Sequence, residues 1–182
     1  LFAIDKAKND DRIELMVLNL GGLDNSGLSK LQDVAQAIKD FKTAGKKVIA
    51  VGDQYSQSQY YLASHADDVW LNPKGWLIFD GFSSYQMYFK TALEKLSINQ
   101  HIFRVGTYKS AVEPFMRDDM SSAAKEANLL WLSDLWQQYK NEVAEQRNID
   151  VTNFDDKAQS LITKIETANG SIAEYAKVNN WV

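Results

Sequence analysis

The sequence predicts an α/β fold in which a mostly parallel sheet is flanked by helices, and three observations predict it. Short apolar runs rich in Val and Ile alternate with stretches whose apolar residues recur at helical spacing. Two of those helical stretches open on an S-x-x-Q pattern that marks a helix start. The connections between successive strands run to about a dozen residues or more, which is what a parallel crossover needs.

Taken in order, Arg12 to Leu20 (RIELMVLNL) is a nearly continuous apolar run ended by Gly21-Gly22, and it reads as a buried strand. Ser29 with Gln32 forms the first capping pattern. Leu31, Val34, Ala35, Ile38 and Phe41 then recur as one helix face until Gly45 stops it. Lys47 to Val51 is a second strand closed by Gly52, and Ser56 with Gln59 opens a helix running to about His65. Val69 to Asn72 reads as a third strand, Pro73-Lys74-Gly75 as a turn and Trp76 to Phe79 as another strand. Tyr85, Phe89, Ala92, Leu93 and Leu96 mark a further helix, and His101 to Val105 (HIFRV) a further strand. An irregular stretch from Gly106 to about Asp119 precedes a long helix, Ser121 to about Arg147, with Leu129, Leu132, Trp136, Tyr139 and Val143 on one face. A smaller helical tail covers roughly Asp155 to Asn180.

A chain of 182 residues without linker, repeat or low-complexity tract reads as one domain over residues 1–182. With 5 Trp, 8 Tyr and 8 Phe and a net charge of -4, it has the apolar content of a folded protein and not of a disordered one. The acidic balance provides no field for a nucleic-acid backbone, which argues against nucleic acid as a partner. No apolar run approaches the ~20 residues of a membrane span. The absence of Cys excludes a disulfide scaffold and fits an oxidising compartment as well as it fits chance. The chain begins at Leu1 with no leader sequence, which reads as an excised piece.

Metal and cofactor chemistry find no support in the pattern. His65 and His101 stand 36 positions apart, and the pairs Asp67-Asp68, Asp118-Asp119 and Asp155-Asp156 are isolated, so structural or solvated roles are expected for all of them. No glycine-rich phosphate loop is present, and no cofactor is expected. Lys125, Lys140 and the cluster Lys42, Lys46, Lys47 read as solvated charge. Trp131 and Leu135 lie off the core stripe of the long helix. They form a second apolar strip, covered either by a subunit contact or by the tail.

Two segments can carry chemistry. In GDQYSQSQYYLAS, Ser58 falls in the first turn of a helix that follows a strand, which is how a nucleophile elbow is built. The residues after it, Gln59 and Tyr60, are not the small ones that let a carbonyl approach backbone donors, so a plain helix-start role competes. In GTYKSAVEPF, Lys109 lies in an irregular segment after a strand, among small and apolar neighbours. A lysine becomes a base only when burial and local charge favour its neutral form, and a surface lysine is the competing reading.

The stretches GDQYSQSQYYLAS and HIFRVGTYKSAVEPFMRDDMS resemble the tandem-repeat form of the signal peptide peptidase A family, in its amino-terminal half. The likeness runs from about Asp11 to the end of the chain. It implies the Clp-protease/crotonase fold and a membrane-anchored enzyme on the periplasmic side of the bacterial inner membrane. Such an enzyme degrades cleaved signal peptides with a Ser/Lys dyad. Lys109 falls on the family's lysine position, the general base. In the tandem form the serine comes from the second repeat, where the motif is approximately A-S-G-G-Y. Ser58 occupies the equivalent slot here, but Gln59 and Tyr60 replace the two glycines. The partners implied are therefore signal peptides or other apolar peptides, a second repeat of the same protein and further copies in a homo-oligomer, with membrane attachment through an anchor outside this chain. An isolated chain of this kind is expected to be inactive. A self-contained Ser58/Lys109 peptidase and a non-catalytic peptide-binding scaffold are the alternatives.

Overall fold

The computed structural model describes residues 1–182, and the chain divides into two compact units: Leu1–Gly81 with Gln138–Val182, and Phe82–Gln137. The first unit contains a three-stranded parallel sheet in the order β1 (Leu15–Asn19), β2 (Lys47–Tyr55), β3 (Asp68–Leu77). Between them run α2 (Leu28–Thr43) and α3 (Gln57–Ala63), preceded by the short α1 (Phe2–Lys8). The sequence reading of a parallel α/β arrangement holds for these elements.

One face of the sheet, with Val48, Ala50 and Val69, is buried, as is the apolar stripe of α2 formed by Leu28, Leu31, Ala35, Ile38 and Phe41. The opposite face is open, with Leu15 44% and Val17 56% exposed, and β1 ends the strand order, so it is an edge strand and not the buried one its apolar run implies. The continuous run of apolar residues reports burial potential, which only a neighbouring layer realises. At the start of α2, Gly27 is the N-cap, so Ser29 lies inside the helix and does not cap it. Gln32, its expected partner, instead donates to Glu142 Oε1 at 2.7 Å. Gly45 does end that helix, in the left-handed conformation (φ 81°) that a residue without Cβ adopts cheaply.

The segment from Asp68 to Leu77 is one strand and not two strands joined by a turn. Gly52 pairs with Leu71 and Gln54 with Trp76, so Asn72 to Gly75 bulge out against Asp53, and β2 runs on past Gly52 to Tyr55. Pro73, which has no N–H to give a ladder, sits inside the bulge. The Asn72 amide donates to Asp53 Oδ1 at 2.9 Å and fastens it.

An aromatic cluster joins the C-terminal tail to Tyr60 of α3 and to Phe79. Trp181, 1% exposed, packs its ring 4.7 Å from Phe154, 5.1 Å from Phe79 and 5.9 Å from Tyr60, and its carbonyl accepts the Tyr60 hydroxyl at 2.6 Å. The tail that delivers Trp181 consists of a 3₁₀ turn (Val151–Phe154), α7 (Ala158–Thr167) and α8 (Ile172–Val178), in keeping with the helical tail expected.

The second unit holds α4 (Lys90–Lys95), α5 (Glu113–Met116) and the first part of α6 (Ser122–Arg147), whose later part, from Gln138, belongs to the first unit. The long helix has the bounds its sequence predicts. The helix expected from Tyr85 is shorter, because Phe89 donates its N–H to the Pro114 carbonyl at 2.7 Å and only Lys90 onward is helical. HIFRV forms no strand: Phe103 is 96% and Val105 87% exposed, and no neighbouring strand pairs with them. No helix is long and apolar enough to cross a membrane.

Candidate active site

Ser58 stands in the first turn of α3, half-buried, inside a network that uses the groups on either side of it. Ser56 is the N-cap of a complete capping box. Its Oγ accepts the Gln59 N–H at 3.4 Å, and its N–H donates to Gln59 Oε1 at 2.9 Å. The Gln59 side chain donates onward to the Leu23 carbonyl at 3.2 Å, and Gln57 Oε1 accepts the N–H groups of Asp80 and Gly81 at 3.0 and 2.8 Å. The Tyr139 hydroxyl donates to the Gln57 carbonyl at 2.9 Å, and Tyr60 and Tyr61 are buried. In a nucleophile elbow, the N–H of the residue after the serine faces the substrate oxyanion. Here that N–H belongs to Gln59 and is bonded to Ser56. The S-x-x-Q pattern at Ser56 is realised as a complete capping box, and that box occupies the N–H beside Ser58.

Lys109 lies in the second unit, in the irregular segment between Gly106 and α5, and is exposed. Gly106 enters the segment with φ 103°, a conformation open to glycine, and its carbonyl accepts the Lys109 N–H at 3.5 Å. At the other end the Ser110 carbonyl accepts the Glu113 N–H at 2.9 Å. Glu113 itself is fully buried and is the anchor of the segment. Its carboxylate accepts the Ser121 hydroxyl at 2.5 Å, the Ser121 N–H at 3.1 Å and Arg104 Nη1 at 3.2 Å. Those bonds, the Ser121 hydroxyl foremost, hold its carboxyl below the usual range against the opposing effect of burial. The same Arg104 nitrogen reaches the Lys109 carbonyl at 3.4 Å. Sequence reasoning assigned no role to Arg104 or Glu113. The available signal was a lone carboxylate between Val112 and Pro114, an acidic residue placed where the surroundings are apolar.

The remaining titratable residues serve structure. His65 is 1% exposed, with Nδ1 2.7 Å from the Tyr61 carbonyl, and burial pushes it down to about 4. Lysines expected to be merely solvated are in fact placed. Lys42 meets Asp67 and the His65 carbonyl at 3.0 Å each, Lys46 donates to the carbonyls of Ala7 and Asp10, and Lys47 meets Asp68 at 2.8 Å. Lys140 is nearly buried, 2.7 Å from Asp155. Each is held because a carboxylate or a backbone carbonyl is within reach of its long stem. Lys125, by contrast, is exposed and only loosely paired with Asp119, at 3.5 Å. Trp131 is 46% exposed and its neighbours Leu129 and Leu130 are 69% and 75% exposed, while Leu135 is half-buried.

Comparison with known proteins settles the kinship. The profile of Peptidase family S49 matches residues 40–172. The chain belongs to that family. It is 44% identical to Protease 4 of Salmonella typhi over 174 residues, covering 96% of this chain and 28% of the relative. It is likewise 44% identical to Protease 4 of Haemophilus influenzae over 177 residues, covering 97% of this chain and 29% of the relative. A chloroplastic protein of Arabidopsis thaliana named Serine protease SPPA is 24% identical over 166 residues. The chain thus spans under a third of the length of these relatives. Both the S49 match and the Protease 4 alignments take in the capped helix of Ser58 and the Lys109 segment.

Proposed function

We propose that this chain is the lysine-bearing part of a Ser/Lys peptidase, in which Lys109 is the general base and the nucleophilic serine comes from a second repeat outside the chain. The substrates are cleaved signal peptides or other apolar peptides, and the site of action is the periplasmic side of the bacterial inner membrane. Membership of Peptidase family S49 and the naming of one relative as a serine protease support the chemistry. The share of the Protease 4 relatives that this chain covers leaves ample room for a second repeat. The observation that carries the reading is the Lys109 segment: its backbone is pinned at both ends while its side chain stands open for another surface to cover.

In the reaction, neutral Lys109 Nζ takes the proton of the serine hydroxyl as the serine oxygen bonds to the peptide carbonyl carbon. The resulting ammonium returns that proton to the leaving amine as the C–N bond breaks, giving an acyl-enzyme that water then hydrolyses. The second repeat covers the Lys109 side chain and takes it out of water, the condition under which an amine serves as a base. The bonded Gln59 N–H counts against the self-contained Ser58/Lys109 alternative. Trp131, 46% exposed, is the part of the expected apolar strip that supports a homo-oligomer, while Leu135 beside it on that strip is half-buried.

The deciding experiment is Lys109→Ala in the full-length protein, assayed on a fluorogenic peptide with an apolar core. Loss of turnover by roughly 10³-fold or more, with the fold retained, is expected. Turnover within a few-fold of wild type would overturn the assignment.

A further inference from the structure

We propose that Arg104 and Glu113 are positioning residues that set the Lys109 backbone for the reaction, an inference that rests on Lys109 being the general base. Arg104 Nη1 stands 3.2 Å from Glu113 Oε1 and 3.4 Å from the Lys109 carbonyl, so one guanidinium nitrogen links the carboxylate to the backbone that carries the base. Glu113 is fixed independently of Arg104. Its two oxygens take the N–H and hydroxyl of Ser121, and the Ser121 hydroxyl accepts the Ala124 N–H at 3.2 Å in the first turn of α6. The long helix is therefore the rigid body, Glu113 its outrigger, and Arg104 the tie from that outrigger to the loop.

The chemistry of the groups fits a tie better than a simple core contact. A buried carboxylate is costly unless hydrogen-bonded, and the Ser121 bonds already supply much of what it needs. The arginine side chain is 29% exposed and that of Glu113 1%, so the contact also contributes to stability, and thermal midpoints accompany every rate measurement. What it supplies besides is direction. Lys109 is otherwise held only by the long bond from its N–H to the Gly106 carbonyl. Without Arg104 the carbonyl of Lys109 has no tether, and the peptide planes on either side of the base are free to rotate. Displacement of a reacting group by about 1 Å costs on the order of 10²-fold in rate.

The test uses the full-length protein and the same fluorogenic apolar peptide, with Arg104→Met, Glu113→Gln, both together, and each on a Lys109→Ala background. Each single variant is expected to lower kcat by about 10- to 100-fold with KM within about twofold, because the loss lies in alignment and not in substrate binding. The double variant should lose no more than the worse single one, since both changes cut the same tie. On the Lys109→Ala background neither should lower the residual rate further. Ser121→Ala removes the hydroxyl that anchors Glu113 to α6, so it is expected to lower both the thermal midpoint and kcat, and to add no further loss of kcat to Arg104→Met. Folded Arg104→Met with wild-type kcat, multiplying losses in the double variant, or losses in KM alone would each overturn the tie. Arg104 sits near the surface, so its variant decides the matter even where Glu113→Gln fails to fold. Activity retained in Lys109→Ala overturns the underlying base assignment. Activity lost in Lys109→Ala but kept in Arg104→Met overturns only the tie.

Discussion

The backbone N–H of Gln59 donates to Ser56 Oγ at 3.4 Å, within the first turn of α3 and directly after Ser58. The other half of that capping box, Gln59 Oε1 accepting the Ser56 N–H at 2.9 Å, makes the arrangement reciprocal. An oxyanion donor has to be free to strengthen its bond as charge develops on the substrate. A donor already closed into a cap has no such freedom, and the buried side chains of Gln59 and Tyr60 fill the space two glycines would leave open.

Ser58→Ala in the full-length protein should therefore keep turnover within about twofold, and wild-type Ser58 should not take a fluorophosphonate label. Peptide mapping after labelling checks this. Modification of Ser58, abolished in Ser58→Ala together with activity, would restore the self-contained dyad. Ser56→Ala gives the complementary result: a loss of about 1 kcal/mol in urea unfolding, as expected for removing an N-cap.

How far the sequence reveals this molecule depends on whether the signal is local. The α2 stripe, the Ser56 cap, Gly45 and the span of α6 are all set by spacing within one turn or by the special φ of one residue, and the structure places them where the spacing does. HIFRV fails because a strand requires a partner edge, and Phe103 and Val105 meet none in the structure. Pro73-Lys74-Gly75 misleads for the opposite reason: turn residues can sit in a bulge while the pairing resumes beyond them. Lys109 is legible only through the resemblance of its motif, since nothing in composition separates it from a surface lysine. Glu113 is illegible because its meaning is tertiary. Its partners, Arg104 nine positions before and Ser121 eight after, follow no helical or strand period.

Gly75 is irreplaceable at the bulge. A Cβ built there would lie 2.1 Å from the Asp53 carbonyl oxygen and 2.8 Å from Leu71 Cδ1, and the first of these is backbone that cannot swing aside. Gly75→Ala should cost about 1–3 kcal/mol in chemical denaturation, the usual range for forcing atoms into filled space. Gly22, with nothing within 4 Å of its Cβ position, is the control, and Gly22→Ala should change stability by no more than about 0.5 kcal/mol. Equal losses at the two positions would show that the bulge yields.

Buried His65 ties stability to pH. Its ring donates from Nδ1 to the Tyr61 carbonyl at 2.7 Å, while Nε2 is buried without a partner, so a proton added there finds neither water nor an acceptor. Burial, helped by the nearby charges of Lys39 and Lys42, pushes its pKa down to about 4 from an ordinary value of 6.5. The unfolded chain therefore binds the extra proton between pH 6.5 and 4 and the folded one does not. The stability that His65 contributes is complete above about pH 6.5 and declines as pH falls through that window, by roughly 3 kcal/mol at its end. Urea unfolding midpoints measured from pH 7 down to pH 4 should fall accordingly. His65→Asn, whose amide can replace the Nδ1–H bond without titrating, should flatten the slope across this window even if it lowers stability at pH 7. An unchanged slope in that variant would assign the pH dependence to other groups.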